Sequence, residues 1–162
     1  MAHGIQISQD AHEVNILPPV SQNGATTSQA FSMAGFGHAT ILLQFGVSTA
    51  QGAVSLQAGT ATAAVGANVA GAAAVTFDVY KQETAGSSHD VLGARTPETT
   101  AGFTPAAASN VFYVLEFDAD NLPAGSSYLQ LVLAAATNSL VSAVAILSGA
   151  RYAGDQSLTA TA

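Results

Sequence analysis

Large apolar residues recur at every second position through the last third of the chain, and a period of two commits a sequence to β-structure. Val111, Tyr113, Leu115 and Phe117 share one parity, and Asp118-Ala119-Asp120-Asn121 stops the run. Leu129, Leu131 and Leu133 repeat the pattern from Tyr128 to Leu133, after Pro123-Ala124-Gly125. Thr137-Asn138-Ser139 reads as a turn, with Leu140 to Leu147 returning as a third strand. Turn signals about 10 residues apart point to an antiparallel β-sandwich or jelly roll rather than to βαβ units.

The same period appears upstream. His38 to Val47 sets Ile41, Leu43, Phe45 and Val47 against Leu42, Gln44 and Gly46. Gln29 to Ala34 and Ala53 to Leu56 are short strand candidates, and Val75, Phe77 and Val79 alternate with Thr76, Asp78 and Tyr80. Alanine favours helix, yet Ala61 to Ala74 also holds Gly66, Gly71, Val65 and Val69 and lacks the Leu, Glu and Lys of a surface helix. Strand or loop is the better reading there. Gly86 to Pro105 reads as a long irregular connection.

The first 27 residues are different. Their sizeable apolar residues, Ile5, Ile7, Val14, Ile16, Leu17 and Val20, are scattered, and Pro18-Pro19 removes two backbone donors. Such a segment is not a central strand. It reads as a disordered terminus or as an extended arm that docks its apolar residues on a neighbour. The chain therefore divides into an arm, 1–27, and a single all-β domain, 28–162.

Composition supplies exclusions. Of the 162 residues, 34 are Ala and 15 each are Gly, Ser and Thr, whereas only 3 are basic and 10 acidic, for a formal net charge of −7. So few cations cannot displace the counterions of a nucleic acid or hold an anionic membrane surface. There is no Cys, which excludes disulfides, thiolate metal sites and Cys nucleophiles. The N-terminus lacks a signal-peptide pattern, and no stretch is apolar enough to span a bilayer, so cytoplasmic synthesis is expected. Alanine-rich faces bury little area, and at ~25 cal/mol per Å² a thin core gains from covering further surface in an oligomer.

No catalytic or metal constellation emerges, and neither an enzyme nor a cofactor is expected. His3, His12, His38 and His89 lack the spacing that places two imidazoles on one metal, so a structural or surface role is favoured for each. Asp118 and Asp120 have the i, i+2 spacing of calcium ligands without the rest of such a loop, and an Asx-type turn explains them more simply. Glu116, Asp118 and Asp120 share strand parity, which makes a carboxylate hydrolase formally available, but there is no Trp to form a sugar platform. Ser87-Ser88-His89-Asp90 is a polar loop rather than a triad, whose members come from separate elements. Arg151 beside Tyr152 suits either closure of the sheet edge by pairing with a carboxylate or an interface, where both types are enriched.

Three segments carry a resemblance. Val111-Phe-Tyr-Val-Leu-Glu-Phe-Asp-Ala-Asp-Asn-Leu-Pro, Tyr128-Leu-Gln-Leu-Val-Leu and Val144-Ala-Ile-Leu-Ser-Gly-Ala-Arg-Tyr resemble the small virion proteins of tailed bacteriophages, over residues 25 to 154. The resemblance implies a capsid decoration (cement) protein, or a related head or tail accessory subunit. It further implies a non-enzymatic homo-oligomer, a trimer by preference, made in the host cytoplasm and located on the virion. There it would bind the major capsid protein at the outer capsid surface and stabilise the shell. Contact residues expected on this reading are Ile5, Ile7, Val14, Ile16 and Leu17 of the arm, with Arg151 and Tyr152. The alternative is a receptor- or glycan-binding module of a phage tail or surface appendage, working through Tyr80, Tyr113, Tyr128 or Phe36.

Overall fold

A computed structural model describes residues 7–83, 90–150 and 160–161. In chain order these form a four-residue helical turn α1 (Ile7–Asp10) and the strands β1 (His12–Thr27), β2 (Phe31–Ser32), β3 (Phe36–Phe45), β4 (Val54–Gly59), β5 (Ala73–Val75), β6 (Phe77–Gln82), β7 (Thr96–Glu98), β8 (Val111–Asp118) and β9 (Tyr128–Ala150). A 3-10 turn over Ala119–Asn121 follows β8. The chain is all-β, and every strand pairing is antiparallel. The strands form one hydrogen-bonded sheet, in the order β5-β4-β9-β3-β8-β6-β7 with β1 and β2 also on β9, curled into a half-barrel.

β9 organises this sheet. Its first part, 128–133, pairs with β4, and its last part pairs with β3 from Val141 to Ala150. β1 runs along its other edge, from His12 opposite Leu147 to Thr27 opposite Val132, and β2 continues that edge. The inward residues keep the expected parity: Leu129, Leu131 and Leu133, then Val141, Ala143, Ala145 and Leu147, are all buried. Side chains from both parts of the sheet meet in one core with Ile41, Leu43, Phe45, Leu56, Val79, Tyr113, Leu115 and Phe117.

Thr137-Asn138-Ser139 is not a turn, as its composition suggested, but a kink inside one continuous 23-residue strand. Asn138 takes the kink with φ of 48°, a left-handed conformation that asparagine tolerates. β1 bends with it: its register slips between Gln22 and Gly24, and the Asn23 side-chain oxygen accepts the Asn138 N–H at 2.9 Å. Val47, expected to face inward, is exposed because β3 ends two residues earlier.

Residues 1–27, read as an arm, supply β1 from His12 onward, hydrogen-bonded to β9 of the same chain. β1 pairs with β9 alone, and a register shift between Leu17 and Val20 brackets Pro18-Pro19, which suits an edge strand. The alanines of β9 follow from the register. Ala143 lies between Leu17 and Leu43, and Ala145 between Val14 and Ile41, so larger neighbours on both flanking strands close over them.

The Ala/Gly-rich stretch 60–72 is a loop fastened by one buried amide. Gln130, fully buried on β9, donates from Nε2 to the carbonyls of Ser28 and Ala67, both at 2.7 Å. Its Oε1 accepts the Gln57 amide at 2.6 Å and the Val69 N–H at 3.1 Å. A second fixed point is Gly102, with φ of 72°, where a Cβ would lie 1.9 Å from the Val54 carbonyl oxygen. There the loop crosses β4 and seats Phe103 against Phe77 and Tyr113.

Gln130→Leu should destabilise the chain by about 3 kcal/mol or more, because it leaves several buried polar groups without partners. Chemical denaturation measures the loss. Hydrogen exchange should rise first at Val69, and an unchanged exchange rate there would contradict the assignment.

Candidate functional site

The outer face of the sheet carries the side chains that the inner face excludes. In β3 these are His38, Thr40, Leu42 and Gln44, and the register places them beside Asp118, Glu116, Val114 and Phe112 of β8. On the other side they meet Ser148, Ile146, Val144 and Ser142 of β9. Asp78 and Tyr80 of β6 extend two of these rows, opposite Glu116 and Val114.

One end of this face is a charged cluster. His38 Nε2 lies 2.6 Å from Glu116 Oε2, and Nδ1 lies 2.7 Å from Asp118 Oδ1. Thr40 Oγ1 donates to the same Glu116 oxygen at 2.7 Å. Ionised carboxylates only accept, so this geometry favours a ring that donates from both nitrogens, the imidazolium form. Partial burial alone would lower the His38 pKa, but the hydrogen bonds and charges of Asp118 and Glu116 outweigh it and raise the pKa above its ordinary value.

Asp118 therefore serves His38 rather than the turn that follows it, since it makes no side-chain cap to the 3-10 turn. Beside this cluster Arg95 Nη2 meets Asp78 Oδ2 at 2.7 Å. His38, Asp78, Tyr80, Arg95, Pro97, Glu116 and Asp118 are among the residues around an open cleft of about 640 Å³. Three carboxylates, a guanidinium, an imidazole and the aromatic residues Phe77 and Tyr80 line this cleft. Glu116 and Asp118 are paired with His38, and Asp78 with Arg95.

The middle of the face carries an apolar row. Val144, Leu42, Val114 and Tyr80 form a continuous row across β9, β3, β8 and β6. Ile7, Leu42, Phe112, Val144 and Ile146, with Glu13, Gln44 and Ser142, border a groove of about 400 Å³. Val20 and Leu140 stand exposed beyond it, beside a smaller hollow.

The expected contact residues separate into three groups. Val14, Ile16 and Leu17 are buried in the chain's own core, because β1 turns them inward against β9. Ile7 is exposed on the rim of the apolar groove. Ile5, Arg151 and Tyr152 lie outside the described residues, as do His3, Ser87, Ser88 and His89. His12 stacks on Phe36 with ring centres 5.8 Å apart, and of the four histidines only His38 is placed among carboxylates within the described residues. Sequence reasoning missed that cluster. The available signal was parity: His38 and Thr40 on one strand, Glu116 and Asp118 on another, all opposite in phase to their core residues.

Because the folded pKa of His38 is raised, its stabilisation is fully present below the unfolded value of about 6.5 and is lost as pH rises through the folded value. His38→Gln should therefore cost roughly 1 kcal/mol near pH 5 and progressively less above neutrality. Thermal denaturation of both proteins across that range measures the gap. A gap that widened with pH would refute the imidazolium.

No family model matches the chain, and no curated protein does. Among solved structures it is similar to the SPBc2 prophage-derived protein YomS. That similarity has 13% sequence identity and a TM-score of 0.46, over 86% of this chain and 94% of that one.

Proposed function

We propose that the protein is a non-enzymatic structural subunit of a virion, which binds the outer surface of a capsid and stabilises the shell as an oligomer. The observation that carries this reading is the group of exposed apolar residues Ile7, Val144, Leu140 and Val20, with Val144 set beside the half-buried Leu42 on a face built of paired strands. Apolar residues grouped on a soluble surface mark a protein contact. Strands locked by hydrogen bonds on both edges hold such a surface in one shape, so little ordering entropy is lost when it docks. The resemblance of residues 25 to 154 to small virion proteins of tailed phages supports the same role. The virion location and the major capsid protein as partner belong to this proposal.

A glycan-binding reading has one observation in its favour, Tyr80 at the wall of the polar cleft. Tyr113 cannot serve it: the ring is fully buried, and its hydroxyl donates to Glu83 at 2.9 Å and accepts the Ala106 N–H at 3.0 Å.

The direct test mixes purified protein with phage capsids that lack it. Co-sedimentation at a fixed ratio to the capsomers, with raised thermal stability of the particles, is the expected result. Protein left in the supernatant would defeat the reading. Binding to a glycan array that Tyr80→Ala abolishes would replace it with the second one.

A further inference from the structure

Asn23-Gly24 is the one place in the chain where an asparagine precedes a glycine; the other five asparagines precede Ile, Val, Val, Leu and Ser. An asparagine side chain holds an electrophilic carbonyl carbon one ring closure away from the next residue's main-chain nitrogen, which makes the residue chemically labile. A side chain on that next residue crowds the closure, and glycine has none. We infer that Asn23 is a self-modifying site, at which the folded chain converts the amide to an aspartyl or isoaspartyl residue through a cyclic imide with Gly24.

The step balances with water as its sole co-reactant. The Gly24 nitrogen gives its proton to solvent and attacks Cγ of Asn23, so that a C–N bond forms. The Cγ–Nδ2 bond then breaks, and Nδ2 takes up a proton and leaves as ammonia. Water opens the imide at one of its two carbonyls. Opening at the side-chain carbonyl leaves an aspartyl residue. Opening at the main-chain carbonyl leaves an isoaspartyl residue, whose main chain is one methylene longer.

Paired β-structure ordinarily opposes such a closure, because ladder hydrogen bonds hold each peptide extended. Here the ladder is interrupted. Pairing passes from Gln22–Ser139 to Gly24–Ala136, skips Asn23, and shifts again between Gly24 and Thr26. β1 pairs with β9 alone, and Asn23 is exposed, so water reaches the amide and ammonia can depart. Gly24 has φ of 118°, and no atom lies within 4 Å of where its Cβ would stand. The peptide between the two residues therefore has room to turn its nitrogen toward the side chain.

The electrophile is also prepared. Asn23 Oδ1 accepts the Asn138 N–H at 2.9 Å. Negative charge collects on this oxygen when Gly24 attacks, and a fixed main-chain donor aimed at it lowers the barrier. The same hydrogen bond gives the reaction a structural consequence. An aspartyl carboxylate keeps an acceptor for Asn138, whereas an isoaspartyl residue draws that carbonyl into the main chain and loosens the contact. The loss falls at the kink where β4 gives way to β3 beside β9.

Ageing the purified full chain in mildly alkaline buffer at physiological temperature, followed by peptide mass spectrometry, tests the site. The peptide holding Asn23 should gain about one dalton, on the order of tenfold faster than the peptide of any other asparagine. Its rate should lie within about tenfold of that in a free peptide of residues 20–27, whose backbone is unconstrained. Asn23→Gln, which would need a larger ring, should stop the change. Stronger protection than that in the folded chain, or earlier modification at another asparagine, overturns the inference. The isoaspartyl fraction, resolved by anion exchange, should exchange its Asn138 amide hydrogen faster than fresh protein. Asn23→Asp, which carries the same added charge, should not. Unchanged exchange in the isoaspartyl fraction would overturn the consequence drawn for the kink.

Discussion

A single strand with hydrogen-bonded partners along both edges is the constraint on which this molecule depends. β9 is flanked by β4 and then β3 on one side and by β1 and β2 on the other. A buried peptide group without a partner costs as much as a lost hydrogen bond, so a strand this long can sit at the centre only if its neighbours change as it bends. The kink at Asn138 is where β4 gives way to β3. Its counterpart in β1, the slip around Asn23 and Gly24, keeps the second edge paired through the same bend. Curling the sheet in this way lets its own inner face supply both walls of the core. A protein with few large side chains gains from that economy, since each inward residue meets others across the curl as well as beside it.

That arrangement accounts for what the sequence disclosed and what it concealed. The parity of Val111 to Phe117, of Leu129 to Leu133 and of Ile41 to Phe45 was legible because one face of each strand is buried and a period of two follows directly. The continuity of β9 was not legible. Thr137-Asn138-Ser139 has the composition of a turn, and what makes it a kink is the strand that bends beside it, more than a hundred residues away in sequence. β1 was obscured by its two prolines for a related reason. They forbid a central strand, but an edge strand with bulges needs no donor at those positions, and Val14, Ile16 and Leu17 are free to turn inward.

The polar sites were hidden by the same distance. Gln130 shares a strand with three leucines and looks like its solvent side, yet four hydrogen bonds, two donated to Ser28 and Ala67 and two accepted from Gln57 and Val69, make it a core residue. His38 and its two carboxylates lie about eighty positions apart in sequence and become neighbours only through the β3–β8 register. Histidine spacing along the chain could not reveal a polar cluster drawn from two strands. Strand parity could have narrowed it, because His38, Thr40, Glu116 and Asp118 all fall on the phase opposite to the core.

Scarcity of charge takes on a different meaning once the face is mapped. The three basic residues of the chain first served to exclude nucleic acid and anionic membranes. In the fold, Lys81 and Arg95 answer Glu98 and Asp78, while His38 is shared between Glu116 and Asp118. Among the described residues these cations thus hold strands and loops of one chain together. What the outer face offers instead is a neutral apolar band whose shape is fixed by main-chain hydrogen bonds and whose charges are gathered at one end. Small side chains let the sheet curl tightly, and they leave Leu42, Val144, Leu140 and Phe112 as the few bulky features by which another surface could find its register.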